Sequence, residues 1–574
     1  MAIIQKIENY IDNHSKISLF LTIMTFVCIY STILMLLPGM PRGHDLTFHL
    51  SRILAIKDGL VTGEFPVKIY PGYIDGYGYA NGLLYPDLFL YIPAVMTLLG
   101  LKLLTSYKVF LFICTICTFL TMYWCVKEIS KSNYAAMVST TLYTLSSYRI
   151  LDLYERAALG EVLAFIFIPI IVLGIFRIIF DDYKQWYILS LGFSGLFLSH
   201  IISTVLMTGI TALIFLISYR RFFKSPIRFL YLGLATIITF LSVSFFLLPM
   251  IQQLTNTSFI VNTQTITSRI WESTVPIHKL FFEFPNMVFR LGGPSGIGIV
   301  FLGLLLLRMQ VKGLDTEFFK MADISLLVGV LCLIASTSFF PWETLMNFIP
   351  QLGAIQFAWR LFLFATAFLS IGSGIILNRF LLIKRAKIKG YIIVMVLSIL
   401  ACGLNMFASY GAYGYYVAKG LYELNLNKYS IGLGEYLPAG INKDEIYKRG
   451  EIITSNNTDM KVTFTKEGTH IEVDFSNNNK ENTYIEVPLI NYLGYIAKYE
   501  YQDQHDNLNV SDGENNILRI DLKNYQKGTI IVDYNGTLLQ KISTLISLVT
   551  ILSVIGYLIL KEIRKKDLIN ALKI

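Results

Sequence analysis

The chain has 574 residues, of which 54% are hydrophobic and 15% charged, and its formal net charge at pH 7 is +9. A mean hydropathy of +0.56 and repeated apolar runs close to the ~20 residues that a spanning helix needs exclude a single soluble domain. The positive charge does not indicate a nucleic-acid-binding protein, because Lys and Arg are concentrated between the apolar runs, as the positive-inside rule predicts.

Clusters of basic residues stand at the cytoplasmic end of each apolar run if successive runs cross the membrane in alternating directions. This pattern predicts about twelve spans with both chain termini in the cytoplasm. The first run lacks a small-residue cleavage site, so we expect an uncleaved anchor. The predicted spans are 17–38, 104–126, 133–148, 161–180, 186–199, 201–219, 229–250, 291–307, 321–340, 359–378, 390–408 and 541–560.

Residues 39–103 then form an external loop. Within it, the apolar segment 87–100 is predicted to be a re-entrant or surface-lying helix, because counting it as a span would place Lys127 and Lys131 outside the cell. The chain therefore divides into a transmembrane domain at 1–409, an extracytoplasmic domain at 410–540, and a final span with a basic cytoplasmic tail at 541–574.

The polar region before the last span has the pattern of β-strands. Residues 461–465 and 469–475 alternate at period two around Glu467-Gly468, which predicts a hairpin. Further strands are expected at 483–489, 493–501, 517–522 and 529–534. Short, regularly spaced strands are typical of a β-sandwich or jelly roll of roughly 100 residues. The region contains no cysteine, so we expect it to fold without disulfides.

The six cysteines lie inside apolar stretches, where packing is favoured over metal or redox chemistry. They are Cys28, Cys114, Cys117, Cys125, Cys332 and Cys402.

A cluster of ionisable residues follows the first span, beginning at Arg42. If 45–60 is helical, Asp45, His49 and Arg52 share one face, beside His44. An acid, an imidazole and a guanidinium together at a membrane surface indicate a site. The alternative is a solvated juxtamembrane helix with ordinary surface pairs such as Arg52 with Asp58.

A second charged cluster occupies a short external loop and the start of the next span, at Arg149, Asp152, Glu155, Arg156 and Glu161. Its arginines are suited to bidentate contacts with phosphate oxygens. Simple solvation of the loop is the alternative, and Glu161 would also be favourable at a helix N-terminus.

Two further side chains stand at predicted external span ends. His200 lies between two apolar runs, and Arg360 opens an inward-going span, where the positive-inside rule does not account for it. Ordinary interfacial positions, with Arg360 snorkelling beside Trp359, are the alternative. The loop at 70–86 interleaves tyrosines, among them Tyr77 and Tyr79, with turn-forming residues. Such rings stack on sugars and also populate membrane interfaces.

Several motifs together resemble GT-C glycosyltransferases and, more closely, bacterial YfhO-like membrane proteins and the membrane family labelled 6-pyruvoyl-tetrahydropterin synthase-related. The densest part of the resemblance is 42–87, and the chain has Ala358 where we expect proline. The motifs are Gly43-His44-Asp45 with His49 and Arg52, Phe65-Pro66-Val67, Tyr70-Pro71, Gly76-Tyr77-Gly78-Tyr79-Ala80, Tyr85-Pro86-Asp87, Arg156-Ala157-Ala158-Leu159-Gly160-Glu161, Ser199-His200, Gln356-Phe357-Ala358-Trp359-Arg360 and Gly434-Glu435-Tyr436-Leu437-Pro438.

The resemblance implies a GT-C-like polytopic membrane enzyme of the bacterial cell membrane, with its β domain outside. It would transfer a sugar from an undecaprenyl-phosphate-linked donor to an acceptor such as teichoic acid or a wall polysaccharide. Asp45 would be the general base or, if Mg²⁺ or Mn²⁺ takes part, a metal ligand. The other implied roles are catalytic assistance by His44 and His49, donor-phosphate binding by Arg52, Arg149, Arg156 and Arg360, and substrate positioning by Asp152, Glu155, Glu161, His200, Tyr77, Tyr79 and Glu435.

A transporter or flippase of lipid-linked glycans is the main alternative, and a wall-assembly scaffold is a second. A flippase is expected to carry ionisable residues along the middle of several spans. Here the predicted spans are almost free of charge, and the polar candidates gather at one face. This distribution favours chemistry at a membrane surface. The sequence contains no Walker A loop, zinc-protease motif or nucleophile elbow.

Overall fold

The computed structural model describes residues 16–41, 43–263, 269–281, 296–311, 316–384, 387–418, 429–477 and 483–571. Within these ranges, eight helices are long and apolar enough to cross a membrane. They are Ile17–Leu36, Leu103–Ser130, Leu159–Phe180, Ile227–Asn256, Glu317–Ala335, Ala358–Ile383, Ile388–Phe407 and Leu538–Arg564. A multi-pass membrane protein follows from their number and hydropathy.

Eight of the twelve predicted spans coincide with these helices, and the other four are shorter. Residues 133–148 form two helices, Asn133–Thr144 and Ser147–Tyr154, and 291–295 lie outside the described residues. Hydropathy does not reveal a break such as the one at Leu145-Ser146, because the flanking residues remain buried and largely apolar. The count of twelve stays a prediction. The remaining short helices are Tyr187–Phe197, Ile201–Ile217 and Ile299–Leu307.

The internal contacts divide the chain into two compact units. The first contains residues 1–46, 107–239 and 266–424, and the second contains 47–106, 240–265 and 425–574.

The first unit is a helical bundle. Its most enclosed helix, Phe362–Ile383, packs against Asn133–Thr144 and Glu317–Ala335, while Leu159–Phe180 packs against Tyr187–Phe197. Both central helices are apolar around almost their whole circumference, as expected for helices enclosed by others. Its remaining helices are Lys16–Thr32, Tyr219–Lys224, Trp342–Phe348 and Lys387–Ala418.

The second unit contains an eight-stranded antiparallel sheet in the order β1-β4-β7-β6-β5-β8-β3-β2. One face carries buried aliphatic and aromatic side chains such as Ile471, Val473 and Phe475, which alternate with exposed polar residues along β3. The strands are β1 (Thr454–Ser455), β2 (Lys461–Glu467), β3 (His470–Ser476), β4 (Tyr484–Ile490), β5 (Tyr495–Tyr501), β6 (Gln504–Asp512), β7 (Ile517–Asp521) and β8 (Lys527–Tyr534).

The predicted hairpin at 461–475 is confirmed, with Gly468 at φ +62° in the turn between β2 and β3. The layer arrangement differs from a sandwich, because all eight strands belong to one continuous sheet. Strand β6 was not predicted. Its sequence at 504–512 is polar throughout most of its length, and its extended form comes from pairing with β5 and β7 on both sides.

The other elements of this unit precede or flank the sheet. Leu46–Val61 is a helix, and the predicted surface segment forms a 3-10 turn at Leu88–Leu90 followed by Tyr91–Leu98, which by length does not span a membrane. Helices Asn81–Leu84, Ile260–Thr263 and Lys443–Arg449 are shorter still, and Leu538–Ala571 ends the unit.

The Tyr/Gly-rich loop is part of the packed interior of this unit. Tyr77 and Tyr79 are fully buried, and their hydroxyls donate to the carbonyls of Gly450 at 2.6 Å and Ile431 at 3.4 Å. The Ile490 amide in turn donates to the Tyr77 carbonyl at 2.9 Å. The structure therefore corrects the predicted role of Tyr77 and Tyr79, because neither ring offers a free face on which a sugar can stack.

Candidate active site

Asp45 lies in the turn immediately before helix Leu46–Val61, so it does not belong to the helix in which we predicted it. Its backbone is held by residues of the 148–161 segment. The His44 amide donates to the Glu155 carbonyl at 3.1 Å, and the Asp45 amide donates to the Arg156 carbonyl at 2.9 Å. These two bonds fix the Asp45 backbone directly beside Arg156.

Gly43 makes this close approach possible. A Cβ at position 43 would lie 2.5 Å from the Ala157 Cβ and 3.3 Å from the Glu155 carbonyl oxygen, so any side chain would push the two segments apart. Ala157 itself has φ +51°, a conformation that costs free energy for a residue with a Cβ. The tight turn at 155–158 therefore depends on the contact with Gly43.

The Asp45 side chain is exposed, and no described cationic group forms an ion pair with its carboxylate. The surrounding protein still removes part of its hydration, and this desolvation raises the pKa of the Asp45 carboxyl. Arg156 and His44 act in the opposite direction, and Glu161 adds to the increase. An accessible carboxylate with a raised pKa has the properties of a general base.

A buried ion-pair network lies next to this turn. Glu161 Oε1 accepts from Arg156 Nη2 and from Arg360 Nε, each at 2.9 Å, and Glu161 Oε2 accepts from the Tyr148 hydroxyl at 2.6 Å. Arg156 Nη1 donates to Asp152 Oδ1 at 2.5 Å. Asp152, Arg156 and Glu161 are thus almost completely enclosed, which contradicts the alternative of simple solvation for these three side chains.

The two carboxyl groups of this network are not equivalent. Glu161 receives three hydrogen bonds, whereas Asp152 receives one from Arg156 and its Oδ2 has no described partner. Burial and the neighbouring Glu161 charge raise the pKa of Asp152 well above its ordinary value. Burial therefore disfavours the charged form of Asp152, while Glu161 is contacted by two guanidinium groups.

His200 caps helix Ile201–Ile217. Its Nδ1 accepts from the Ser203 amide at 3.3 Å and lies 2.7 Å from Ser203 Oγ. Because Nδ1 is an acceptor, the proton of the neutral ring is on Nε2. Burial, with Arg360 beside it, lowers the pKa of His200 to about 3, so the ring stays neutral. Gly160 leaves room for the ring, since a Cβ there would lie 2.8 Å from His200 Cδ2.

Arg360 is positioned by an irregular segment that the sequence did not reveal. The chain runs through 3-10 turns at Pro350–Ile355 and Ala358–Leu361, and Gln356 between them has φ +69°. Arg360 Nη1 donates to the Ile355 carbonyl at 2.8 Å and to Gln356 Oε1 at 3.1 Å. A strained backbone at such a position is a common mark of a functional site.

Two aromatic residues of the site were also missed. The indole of Trp359 lies 4.6 Å from the Arg156 guanidinium, measured to the ring centroid, and Tyr148 donates to Glu161. The contacts of Trp359 with Arg156 and of Tyr148 with Glu161 join residues that are not neighbours in the sequence, so no local pattern indicates them. A signal was available for Trp359, because it directly precedes an arginine at a predicted external span end.

The structure separates Arg149 from this network. Its guanidinium donates to Thr115 Oγ1 at 2.6 Å and to the Thr144 carbonyl at 3.1 Å, and it is fully buried. Those contacts tie helix Ser147–Tyr154 to the bundle, so we assign no phosphate contact to Arg149. Glu155 contributes its carbonyl to the Asp45 turn and exposes its side chain.

The remaining candidates belong to the second unit. Arg52 is buried, which excludes the surface pair with Asp58. It donates to the Pro86 carbonyl at 2.5 Å, stacks on the Tyr85 ring at 4.3 Å and contacts His49 Nδ1 at 3.5 Å. Glu435 lies in this unit as well, and its carbonyl accepts from the Val261 amide at 2.9 Å. Arg42 lies outside the described residues.

Asp45 is the carboxylate of this site that would contact the predicted Mg²⁺ or Mn²⁺ ion. No group of three His, Cys, Asp or Glu side chains converges in the part of the chain that the structure describes. Asp152 and Glu161 have arginine partners, and Mg²⁺ is often bound through one or two carboxylates together with substrate phosphates. No step below is routed through a metal.

No family model matches the chain. A protein of Lactococcus lactis subsp. cremoris (strain MG1363), described as an uncharacterized protein, is 22% identical over an alignment of 629 positions, which covers 99% of each chain.

Three solved structures are similar to this chain. ArnT from Cupriavidus metallidurans bound to undecaprenyl phosphate gives a TM-score of 0.42 at 12% identity, covering 70% of this chain and 78% of ArnT. The arabinofuranosyltransferase AftD from Mycobacteria gives a TM-score of 0.39 at 12% identity, and the match covers 68% of this chain and 27% of AftD. The Archaeoglobus fulgidus oligosaccharyltransferase gives a TM-score of 0.36 at 13% identity, and the match covers 68% of this chain and 56% of that enzyme. The activity proposed for this chain therefore rests on the residues of its site.

Proposed function

We propose that the protein is a membrane glycosyltransferase that moves a sugar from a polyprenyl-phosphate-linked donor to an extracytoplasmic acceptor. One observation carries the proposal: the accessible, unpaired carboxylate of Asp45 is held by its backbone beside Arg156, which shares the buried Glu161 carboxylate with Arg360. A base next to anion-binding groups is the combination that sugar transfer from a phosphate requires.

In this reaction Asp45 accepts the proton of the acceptor hydroxyl. The hydroxyl oxygen then forms a bond to the anomeric carbon, the bond between that carbon and the phosphate oxygen breaks, and the electron pair leaves with the polyprenyl phosphate. The raised pKa of Asp45 favours this proton transfer, because a stronger base accepts the proton more readily.

Arg156 and Arg360 stabilise the charge that develops on the leaving phosphate. The two guanidinium groups share the Glu161 carboxylate, and burial disfavours the charged form of Asp152, which contacts Arg156. Both guanidinium groups lie in an enclosed region, where electrostatic stabilisation is stronger than in water. His200 contributes a neutral Nε2–H, which supplies a hydrogen-bond donor without altering the charge balance.

We further propose undecaprenyl phosphate as the carrier lipid and teichoic acid or a wall polysaccharide as the acceptor, with the β sheet of the second unit outside the membrane. The resemblance of the 42–87 region and the Arg156–Glu161 motif supports this part of the proposal. The positive-inside distribution supports the orientation.

The test is transfer by the purified full-length protein from a polyprenyl-phosphate-linked sugar, together with wall and teichoic-acid glycan analysis of wild-type, deletion and Asp45→Asn strains. Asp45→Asn is expected to reduce transfer by ~10²–10⁴-fold, the usual contribution of a general base. Asp459→Asn, an exposed acid in the sheet-containing unit, is the matched control. Unchanged glycan composition with Asp45→Asn present in the membrane contradicts the catalytic role. A flippase of lipid-linked glycans would give no transfer in the purified system.

A further inference from the structure

A cavity lies in the first unit, at the end of the bundle where helices Leu103–Ser130 and Phe362–Ile383 terminate. It has a volume of about 670 Å³, within the range of ligand-binding pockets. The ends of spanning helices stand at the level of lipid headgroups, so this cavity opens where the polar and apolar parts of a lipid meet.

The lining of the cavity has the same polarity gradient as a phospholipid. Lys131 and Arg379 lie at the helix ends, and the next turn inward contributes apolar side chains, including Ile23, Met137 and Ile375. None of the described residues that line the cavity is acidic. The apolar side chains suit acyl chains, and the two cations suit a phosphate.

The positive charge at its mouth comes from Arg379. Arg379 is exposed and has no ion-pair partner among the described residues. Lys131 contacts Glu128 at 3.1 Å, and Arg177, which shares that carboxylate, is also paired with Asp181. Lys131 is therefore a partly neutralised second cation, and the uncompensated charge is that of Arg379.

A buried acceptor in the lining indicates what else the ligand contains. Asn378 Oδ1 is buried and accepts no hydrogen bond from any described residue. Such an oxygen is costly to leave without a donor. A glycerol headgroup supplies hydroxyl donors, whereas a choline headgroup supplies none.

We infer that this cavity is a binding site for an anionic phospholipid, with its phosphate on Arg379 and Lys131, a glycerol hydroxyl on Asn378, and its acyl chains along Ile23, Met137 and Ile375. The site is separate from the Asp45 network and does not depend on the glycosyltransferase proposal.

The experiment measures lipid retained by the full-length protein in mild detergent, by native mass spectrometry after adding phosphatidylglycerol, phosphatidylcholine or polyprenyl phosphate. The wild-type protein is expected to retain phosphatidylglycerol about tenfold more than phosphatidylcholine, because phosphatidylglycerol offers a hydroxyl to Asn378 and lacks the choline cation that Arg379 repels. Arg379→Gln is expected to lower phosphatidylglycerol retention and to narrow this preference. Equal retention of the two phospholipids, or preferential retention of polyprenyl phosphate, overturns the inference.

A second variant fills the cavity without changing its charge. Leu382→Trp is expected to lower phosphatidylglycerol retention, whereas Arg269→Gln, an exposed arginine outside the cavity, leaves it unchanged. The helical circular dichroism of each variant establishes folding. Retention at the wild-type level in folded Leu382→Trp places the lipid elsewhere and contradicts the assignment. If one variant does not fold, the other variant and the preference of the wild-type protein for phosphatidylglycerol decide whether the inference stands.

Discussion

Glu161 and Arg360 lie 199 positions apart in the sequence, and Arg360 Nε donates to Glu161 Oε1 at 2.9 Å. The same carboxylate oxygen also accepts from Arg156 Nη2 at 2.9 Å. The buried Glu161 carboxylate therefore links the loop that holds Asp45 to the start of the span Ala358–Ile383.

The shared glutamate leads to a prediction about the two carboxyl groups of the network. Glu161→Gln removes the negative charge between two buried guanidinium groups, and we expect a loss of about 3–5 kcal/mol of stability. Asp152→Asn replaces a carboxyl group whose charged form burial disfavours, and we expect a loss of about 1 kcal/mol or less. Denaturant unfolding in detergent measures both. Equal losses contradict this difference between the two carboxyl groups.

A pH profile tests the base. Only ionised Asp45 accepts a proton, so kcat/KM is expected to fall as pH decreases through its pKa. Desolvation raises that pKa above the ordinary value of about 3.9, so the midpoint of the acid limb is expected above pH 3.9. The residual activity of Asp45→Asn should lack this limb. A limb at the same pH in that variant assigns the titration to another group.

The stability of the protein should depend on pH through His200. Its pKa is lowered to about 3 in the folded protein from about 6.5 in the unfolded chain. Between these values the unfolded state binds more protons, so the contribution of His200 to stability is present above pH 6.5 and is lost as pH falls towards 3.

His200→Gln cannot titrate in this range and serves as the comparison. The wild-type protein is expected to lose more thermal stability than His200→Gln between pH 7 and pH 4, measured as the change in Tm of each. Parallel curves for the two proteins exclude a neutral, buried His200.

The close approach of Gly43 to Ala157 can be tested by adding one methyl group. Gly43→Ala places a Cβ 2.5 Å from the Ala157 Cβ, which forces the Asp45 turn away from Arg156. We expect at least a tenfold loss of transfer activity, because misplacing a catalytic group by about 1 Å costs up to about 10²-fold. Gly209→Ala is the control, since a Cβ at position 209 meets nothing within 4 Å. Equal activities of the two variants would show that the turn tolerates displacement.

The predicted orientation has its own measurement. A cysteine introduced at Lys131 should resist labelling by a membrane-impermeant maleimide added to intact cells, and one introduced at His470 should be labelled. Both side chains are solvent-accessible in the structure, so a difference in labelling between the two positions shows on which side of the membrane each one lies. The reverse pattern would invert the topology and place the β sheet in the cytoplasm.

Much of the site followed from local physics in the sequence. Asp45, Arg156, Glu161, His200 and Arg360 could be named because ionisable residues beside apolar spans are costly and therefore informative. The hairpin at 461–475 followed from its period-two pattern, and the long spans followed from hydropathy. Each of these signals is contained in a few consecutive residues.

The tertiary structure decided which of these groups meet. Helix packing brings Arg360 to Glu161 and gives Arg149 neutral partners at Thr115 and Thr144, although Arg149 and Arg156 are neighbours in one predicted cluster. It also buries Tyr77 and Tyr79, and pairs the polar strand β6 on both sides. Charge and hydropathy determine where a residue lies relative to the membrane. The partner of a buried charge depends on the packing of segments far apart in the chain, and no local pattern encodes that packing.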